Sequence, residues 1–339
     1  MLKNKKELFG GLVLILSSTV FILCSLELFF RVFDPVKFKA FMVPSRGVWD
    51  DGGERFNSSN FRPSRSLGYE LVQNSKLGTN SMGMFDKERV GEKTKGVYRI
   101  ICLGDSTTAN SEYVTILERL LTENNRDRGF EVWNCGVPSY AAIQYCRALE
   151  EKWLRYEPDM VIIGFCLNDF DVTPLVVRES NRLVGYFPNQ EIRPHVNPFL
   201  LRHSALYRSI VMRLFISRIP EDNKDILKLS RAYLTGVKDL LSEKGIRFLV
   251  VIFGLVDKLE NYPSWMRSHK DIKSIVKDCG IESIDMVPVF EANGPEGFRL
   301  LEGDELHFNR KGSQVIAETI YVYLTGLQEK TGDHKIGFK

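Results

Sequence analysis

The chain has 339 residues, 44% of them apolar and 26% charged, and a formal net charge of +3. That mix belongs to a folded protein of one large or two ordinary domains and excludes a disordered chain. So small a net charge, with no sustained basic stripe, gives no ground for a nucleic-acid partner.

Phe9–Phe30 reads FGGLVLILSSTVFILCSLELFF and carries one charge, Glu27, near its far end. As a helix, residues 9–30 span about 33 Å, against about 30 Å of hydrocarbon in a bilayer. A cleaved signal peptide has a shorter apolar core and a small-residue cleavage site, and no such site follows here. A buried core helix, the alternative, rarely runs this long at a terminus. The expectation is a short tail over 1–8 and a transmembrane anchor over 9–30. Lys3, Lys5 and Lys6 favour a cytoplasmic N-terminus, while Arg31, Lys37 and Lys39 weaken that bias. Long domains translocate largely regardless of flanking charge. The chain is therefore expected to be a single-pass membrane protein with its main domain outside the cytoplasm.

Residues 31–95 hold Gly52-Gly53, Asn57-Ser58-Ser59-Asn60 and Pro63 with little periodicity, which predicts a loop-rich linker or collar. A domain is expected over 96–328. Val97–Leu103 reads as a strand stopped by Gly104, and Val114–Asn124 as a helix with Ile116, Leu117, Leu120 and Leu121 on one face. Phe130–Cys135 is a second strand ended by Gly136, and Ala141–Tyr156 a helix stopped by Pro158. Met160–Phe165 is a third strand, apolar throughout as buried parallel strands are. Residues 171–224 form an insertion, basic and aromatic (His195, Phe199, His203, Tyr207, Arg208, Arg213), suited to capping a site. Asp225–Lys244 is a helix with Gly245 at its end, Arg247–Phe253 a fourth strand, Ile281–Met286 a fifth, and Asn309–Leu327 the last helix. A polar tail covers 329–339. Strands alternating with helices predict a parallel sheet covered on both faces, with its site beyond the carboxyl ends of the strands. The six cysteines show no C-x-x-C spacing, so they read as thiols rather than zinc ligands.

Three strand ends and one helix start carry the residues of a catalytic centre. Gly104-Asp105-Ser106 follows the first strand, where a hydroxyl nucleophile would stand clear of the sheet beside free backbone N–H groups; alone it also reads as a plain turn. Asn168-Asp169 follows the third strand, where an Asn amide can donate to an oxyanion, or simply close an Asx-turn. Gly136 ends the second strand, where its N–H can approach the same oxygen. Asp304-Glu305-Leu306-His307 precedes the last helix, as a base with an orienting carboxylate or as a helix N-cap with a surface His. His195 and His203 fall in the insertion, His269 in a polar helix and His334 in the tail.

Taken together these residues resemble the SGNH (GDSL) hydrolase superfamily. The first block is similar to Ile101-Cys102-Leu103-Gly104-Asp105-Ser106-Thr107-Thr108, the second to Asn134-Cys135-Gly136-Val137-Pro138-Ser139, the third to Asn168-Asp169 and the last to Asp304–Gly312. Asn80–Met84 and Leu67-Gly68-Tyr69 resemble sequences that precede the first block in membrane-anchored members. The resemblance implies a three-layer α/β/α fold with a parallel, doubly wound, flavodoxin-like sheet of about five strands. It implies Ser106 as nucleophile, His307 as base, Asp304 as its partner, and an oxyanion hole of the Ser106 and Gly136 N–H groups with the Asn168 amide. Cys166 and Asn110 stand where many members carry Gly.

The function expected is a serine esterase that removes acyl groups, acetyl above all, from an extracytoplasmic carbohydrate, with no metal or cofactor. The anchor motivates it, as do the small neighbours Thr107, Thr108 and Ala109. The alternatives are an O-acetyltransferase acting on a surface polysaccharide with modification partners, since the acylation half-reaction is shared, and a catalytically idle glycan-binding module.

Overall fold

Short β-branched and aliphatic runs build a parallel sheet, and amphipathic helices cover it. The computed structural model describes residues 2–33, 60–64, 67–125, 127–170, 175–179, 182–186, 200, 204–207, 209–210 and 224–326. The expected linker residues 34–59, the insertion residues His195, Phe199, His203, Arg208 and Arg213, His334 and the tail 329–339 lie outside them.

Helix α1 (Leu2–Phe33) includes a 24-residue stretch, Phe9–Val32, long and apolar enough to cross a membrane, with its most apolar window unburied. The helix starts at Leu2, so residues 2–8 continue it. Near its end, Glu27 accepts hydrogen bonds from the Ser204 hydroxyl (2.7 Å) and from the N–H groups of Ala205 (2.9 Å) and Leu206 (3.0 Å) in the insertion.

Strands β1 (Phe61–Ser64) and β2 (Gly68–Leu71) pair as an antiparallel hairpin inside the segment expected to be loop-rich. The main sheet comprises β3 (Val97–Gly104), β4 (Gly129–Asn134), β5 (Met160–Phe165), β8 (Arg247–Ile252) and β9 (Ser283–Asp285), all parallel, in the order β4-β3-β5-β8-β9. A second hairpin, β6 (Leu175–Glu179) with β7 (Arg182–Tyr186), lies in the insertion. The order of the main sheet is that of the flavodoxin-like doubly wound fold, whose winding reverses between β3 and β5. The five sheet strands fall within a residue or two of the runs read from the sequence.

The pleat sends alternate residues to opposite faces. Ile101, Leu103, Val161, Ile163 and Val250 face α4 (Ala142–Ala148), α5 (Lys224–Glu243) and α6 (Pro263–Asp278), in one cluster with Tyr145, Val237, Leu241 and Ile275. Phe61, Tyr69 and Leu71 of the first hairpin belong to this same cluster. Ile100, Cys102, Ile162 and Val251 face the other way. They join Leu117 and Leu121 of α3 (Tyr113–Glu123), Phe290 of α7 (Val287–Ala292), and Ile316 and Ile320 of α8 (Arg310–Thr325). Each such side chain stabilises the fold by roughly 1.5–3 kcal/mol on burial.

The helix expected over 141–156 ends as α-helix at Ala148, then widens into a π turn at Leu149–Trp153 and tightens at Leu154–Tyr156. Two constraints account for this. Glu157 precedes a proline, which disfavours the helical region, and it adopts φ 53°. The fully buried Arg99 draws the Tyr156 carbonyl to 2.7 Å while paired with Glu131.

Candidate active site

The chain leaves β3 at Gly104 and turns at once into α2 (Ser106–Ala109), a single helical turn. Asp105 caps it: one carboxylate oxygen accepts from the Thr107 N–H (2.8 Å) and hydroxyl (2.6 Å). Ser106 is thus the first helical residue, where N–H groups have no intrahelical acceptor; its own N–H has no partner among the described residues. The turn fits only because Gly136, at the end of β4, has no side chain. A Cβ there would lie 2.6 Å from the Ala109 nitrogen. Thr107, Thr108 and Ala109 are buried. These small residues, read from the sequence as neighbours of the serine, pack beneath it.

His307 and Asp304 lie in the loop before α8. The N-cap of α8 is Asn309, whose side chain accepts from the Gly312 N–H at 3.1 Å, so Asp304 does not serve as the cap. Asp304 Oδ1 accepts from the N–H groups of Leu306 and His307, both at 3.0 Å. Its oxygens lie 3.1 and 3.0 Å from His307 Nδ1. A carboxylate only accepts, so Nδ1 carries the proton and the Nε2 lone pair is left for Ser106 Oγ, 2.9 Å away. All three residues are nearly enclosed, at 7% exposure for Ser106, 4% for Asp304 and 2% for His307. Burial alone would raise the Asp304 carboxyl; the bonds from the His307 ring and from the two N–H groups outweigh it and hold the group below its ordinary value.

Asn168 follows β5. The turn there is closed by its neighbour: Asp169 accepts the Cys166 N–H at 2.8 Å. The Asn168 side chain is left unspent, with its Oδ1 buried and unpartnered and no acceptor for its amide N–H groups among the described residues. Gly136 is placed differently. Its N–H already donates to Asn134 Oδ1 at 3.1 Å, so it is not a free donor in this structure. Three residues on, Ser139 is exposed, stands at φ 62°, and has an N–H with no partner among the described residues. Ser139 closes the stretch similar to the family's second block, but its residue type gives no hint of the backbone angle, because Gly or Asn is the usual choice at such a φ.

His269, the other histidine whose side chain is described, sits on α6 and is held 2.9 Å from Asp285, apart from this cluster. All six cysteines are free thiols, and burial pushes those of Cys102, Cys135 and Cys166 upward. Among the described residues, no three His, Cys, Asp or Glu side chains gather where a metal ion would bind.

Several solved structures are similar in outline. An acetylxylan esterase from Geobacillus stearothermophilus, in a catalytic-mutant form, is 13% identical, covering 69% of this chain and 94% of its own, with a TM-score of 0.45. A putative GDSL-like lipase from Parabacteroides merdae is 16% identical, covering 70% and 99%, with a TM-score of 0.46. A second acetyl xylan esterase is 16% identical, covering 67% and 99%, with a TM-score of 0.44. No protein-family profile and no curated protein matches the sequence.

Proposed function

We propose that this chain is a membrane-anchored serine esterase of the SGNH type, acting on acyl esters of a carbohydrate outside the cytoplasm. The observation that carries the reading is the enclosed relay from Asp304 through His307 to Ser106 Oγ, with both links near 3 Å. A structural histidine would not need a buried carboxylate on one nitrogen and, on the other, a serine hydroxyl whose further contact, with Asp105, is a longer 3.4 Å.

In the reaction, Ser106 Oγ attacks the acyl carbon while its proton passes to His307 Nε2. Asp304 keeps the ring in the required tautomer and stabilises the imidazolium. The tetrahedral oxyanion is met by the Ser106 N–H, the unspent Asn168 amide and, in place of Gly136, the free Ser139 N–H. His307 then returns the proton to the departing alcohol, and water repeats the sequence to release the acid. The narrow exposure of Ser106 favours a small acyl group, and we propose acetyl. The anchor α1 supports the extracytoplasmic setting and the assignment to a surface carbohydrate.

The test is hydrolysis of p-nitrophenyl acetate by the detergent-solubilised full chain. Turnover that disappears in Ser106→Ala is expected. Turnover that survives in that variant would reject the assignment.

A further inference from the structure

The turn that presents Ser139 is held from outside the main sheet. Tyr140 N–H donates to the Val137 carbonyl at 3.1 Å, closing a four-residue turn with Pro138 second and Ser139 third. A positive φ of 62° at Ser139 makes it a type II turn. That type differs from the commoner type I by a flip of the central peptide, here Pro138–Ser139. The bond is trans, so its C=O and N–H point in opposite directions.

The carbonyl side of that peptide is fixed. The Tyr69 hydroxyl, from β2, donates to the Pro138 carbonyl at 2.6 Å. The Tyr140 hydroxyl donates back to the Tyr69 carbonyl at 2.6 Å, and the two rings meet edge to face at 5.3 Å. Tyr69 is fully buried. Burial, with the Asp105 carboxylate nearby, pushes its hydroxyl well above the usual tyrosine range, so it remains a donor. With the carbonyl secured inside, the Ser139 N–H is directed to the exposed side. The turn itself lies beside the strand end that carries the nucleophile, because Val137 N–H donates to the Gly104 carbonyl at 2.9 Å. Were the peptide to flip, Ser139 would escape the left-handed region that a serine rarely adopts. The same flip would turn a carbonyl oxygen toward the site, where it would repel a developing oxyanion.

We infer that Tyr69 is a positioning residue: its hydroxyl, carried on the N-terminal hairpin, holds the Pro138–Ser139 peptide in the orientation that offers an N–H to the transition state. The inference rests on the esterase reading above. It makes the hairpin part of the catalytic apparatus although no hairpin residue touches substrate.

The experiment compares Tyr69→Phe, Tyr140→Phe and Tyr69→Phe/Ser139→Gly in the solubilised full chain, with p-nitrophenyl acetate as probe and thermal unfolding as the control for folding. Tyr69→Phe is expected to lower kcat by about tenfold to a hundredfold with KM within about twofold, since the lost contact acts on the transition state alone. Tyr140→Phe removes a buried hydroxyl that bonds the Tyr69 carbonyl and not Pro138, and is expected to lower kcat by a clearly smaller factor than Tyr69→Phe, about threefold at most and well short of an oxyanion donor's loss. Ser139→Gly removes the conformational penalty and is expected to restore most of kcat in the double variant. Equal losses in Tyr69→Phe and Tyr140→Phe, or a double variant no better than Tyr69→Phe, would overturn the inference. So would wild-type kcat in Tyr69→Phe. Should Tyr69→Phe fail to fold, the double variant carries the test by itself, with kcat near wild type expected and a loss of about a hundredfold in a folded protein counting against it. If the wild-type chain neither hydrolyses the ester nor labels at Ser106 with a fluorophosphonate, the esterase reading fails instead.

Discussion

The two halves of the proposed catalytic centre are held in place by different forces. Ser106 rests chiefly on steric fit: a helical turn, capped by Asp105, pressed against Gly104 and Gly136, with Thr108 and Ala109 filling the space beneath. His307 rests on hydrogen bonds: Asp304 gathers three N–H groups, Leu300 N–H donates to the His307 carbonyl at 3.0 Å, and Asn309 donates to the carbonyls of Gly297 and Arg299. A position set by fit is lost when an atom is added. A position set by hydrogen bonds is lost when an atom is removed or exchanged. The halves should therefore fail in different ways, and the contrast can be tested.

The largest effect is expected where the halves meet. Ser106→Ala and His307→Ala should each lower kcat by about 10⁵-fold or more, and the double variant should be no worse than either, because residues that act as a unit are not additive. A double variant far below both singles would mean that the two act separately. Asp304→Asn should cost about 10⁴-fold in kcat by favouring the wrong tautomer, with the thermal midpoint much less affected than activity. Asn168→Ala should cost about 10²–10³-fold, in kcat rather than KM, as the loss of one oxyanion donor does. On the packed side, Gly136→Ala should act on the fold: a midpoint drop equivalent to about 1–3 kcal/mol of overpacking is expected in denaturant titration. A stable Gly136→Ala protein that is merely inactive would contradict the steric account.

The smallest effect concerns a third place, the Asp285–His269 pair, which repeats the Asp–His contact without a serine. Burial would raise the Asp285 carboxyl, but His269 and Lys273 outweigh it and bring it from 3.8 to about 2. A carboxyl depressed on folding adds stability that is present above its unfolded value and lost as pH falls through its folded one. Stability is thus expected to decline between pH 3.8 and about 2, and Asp285→Asn should flatten that part of the profile without altering turnover at neutral pH.

What can be read from sequence follows from how local each signal is. The strands at 97–104 and 160–165 announce themselves because their apolar runs are continuous and end at a turn. Ser106, Asn168, Asp304 and His307 are legible as candidates because each sits beyond a strand or before a helix, in side chains suited to the chemistry. The role of Gly136 is not, because its N–H is claimed by the Asn134 side chain two residues away, a contact no spacing rule foretells. Ser139 escapes notice because its contribution is a backbone angle, and the hairpin at 61–71 because what orders it is burial of Phe61, Tyr69 and Leu71 against distant residues.

One more consequence follows from the bond between Ser106 and His307, which joins residues 201 positions apart. A second bond, between the hydroxyls of Ser111 and Ser313 at 2.9 Å, spans 202 positions and ties the same two regions together. A chain emerging from the ribosome presents its serine early and its base late. Until α8 is made and docked, the serine has no base and is an ordinary alcohol. On the proposed mechanism the protein therefore crosses most of its synthesis chemically inert, and activity would first appear when the chain closes on itself.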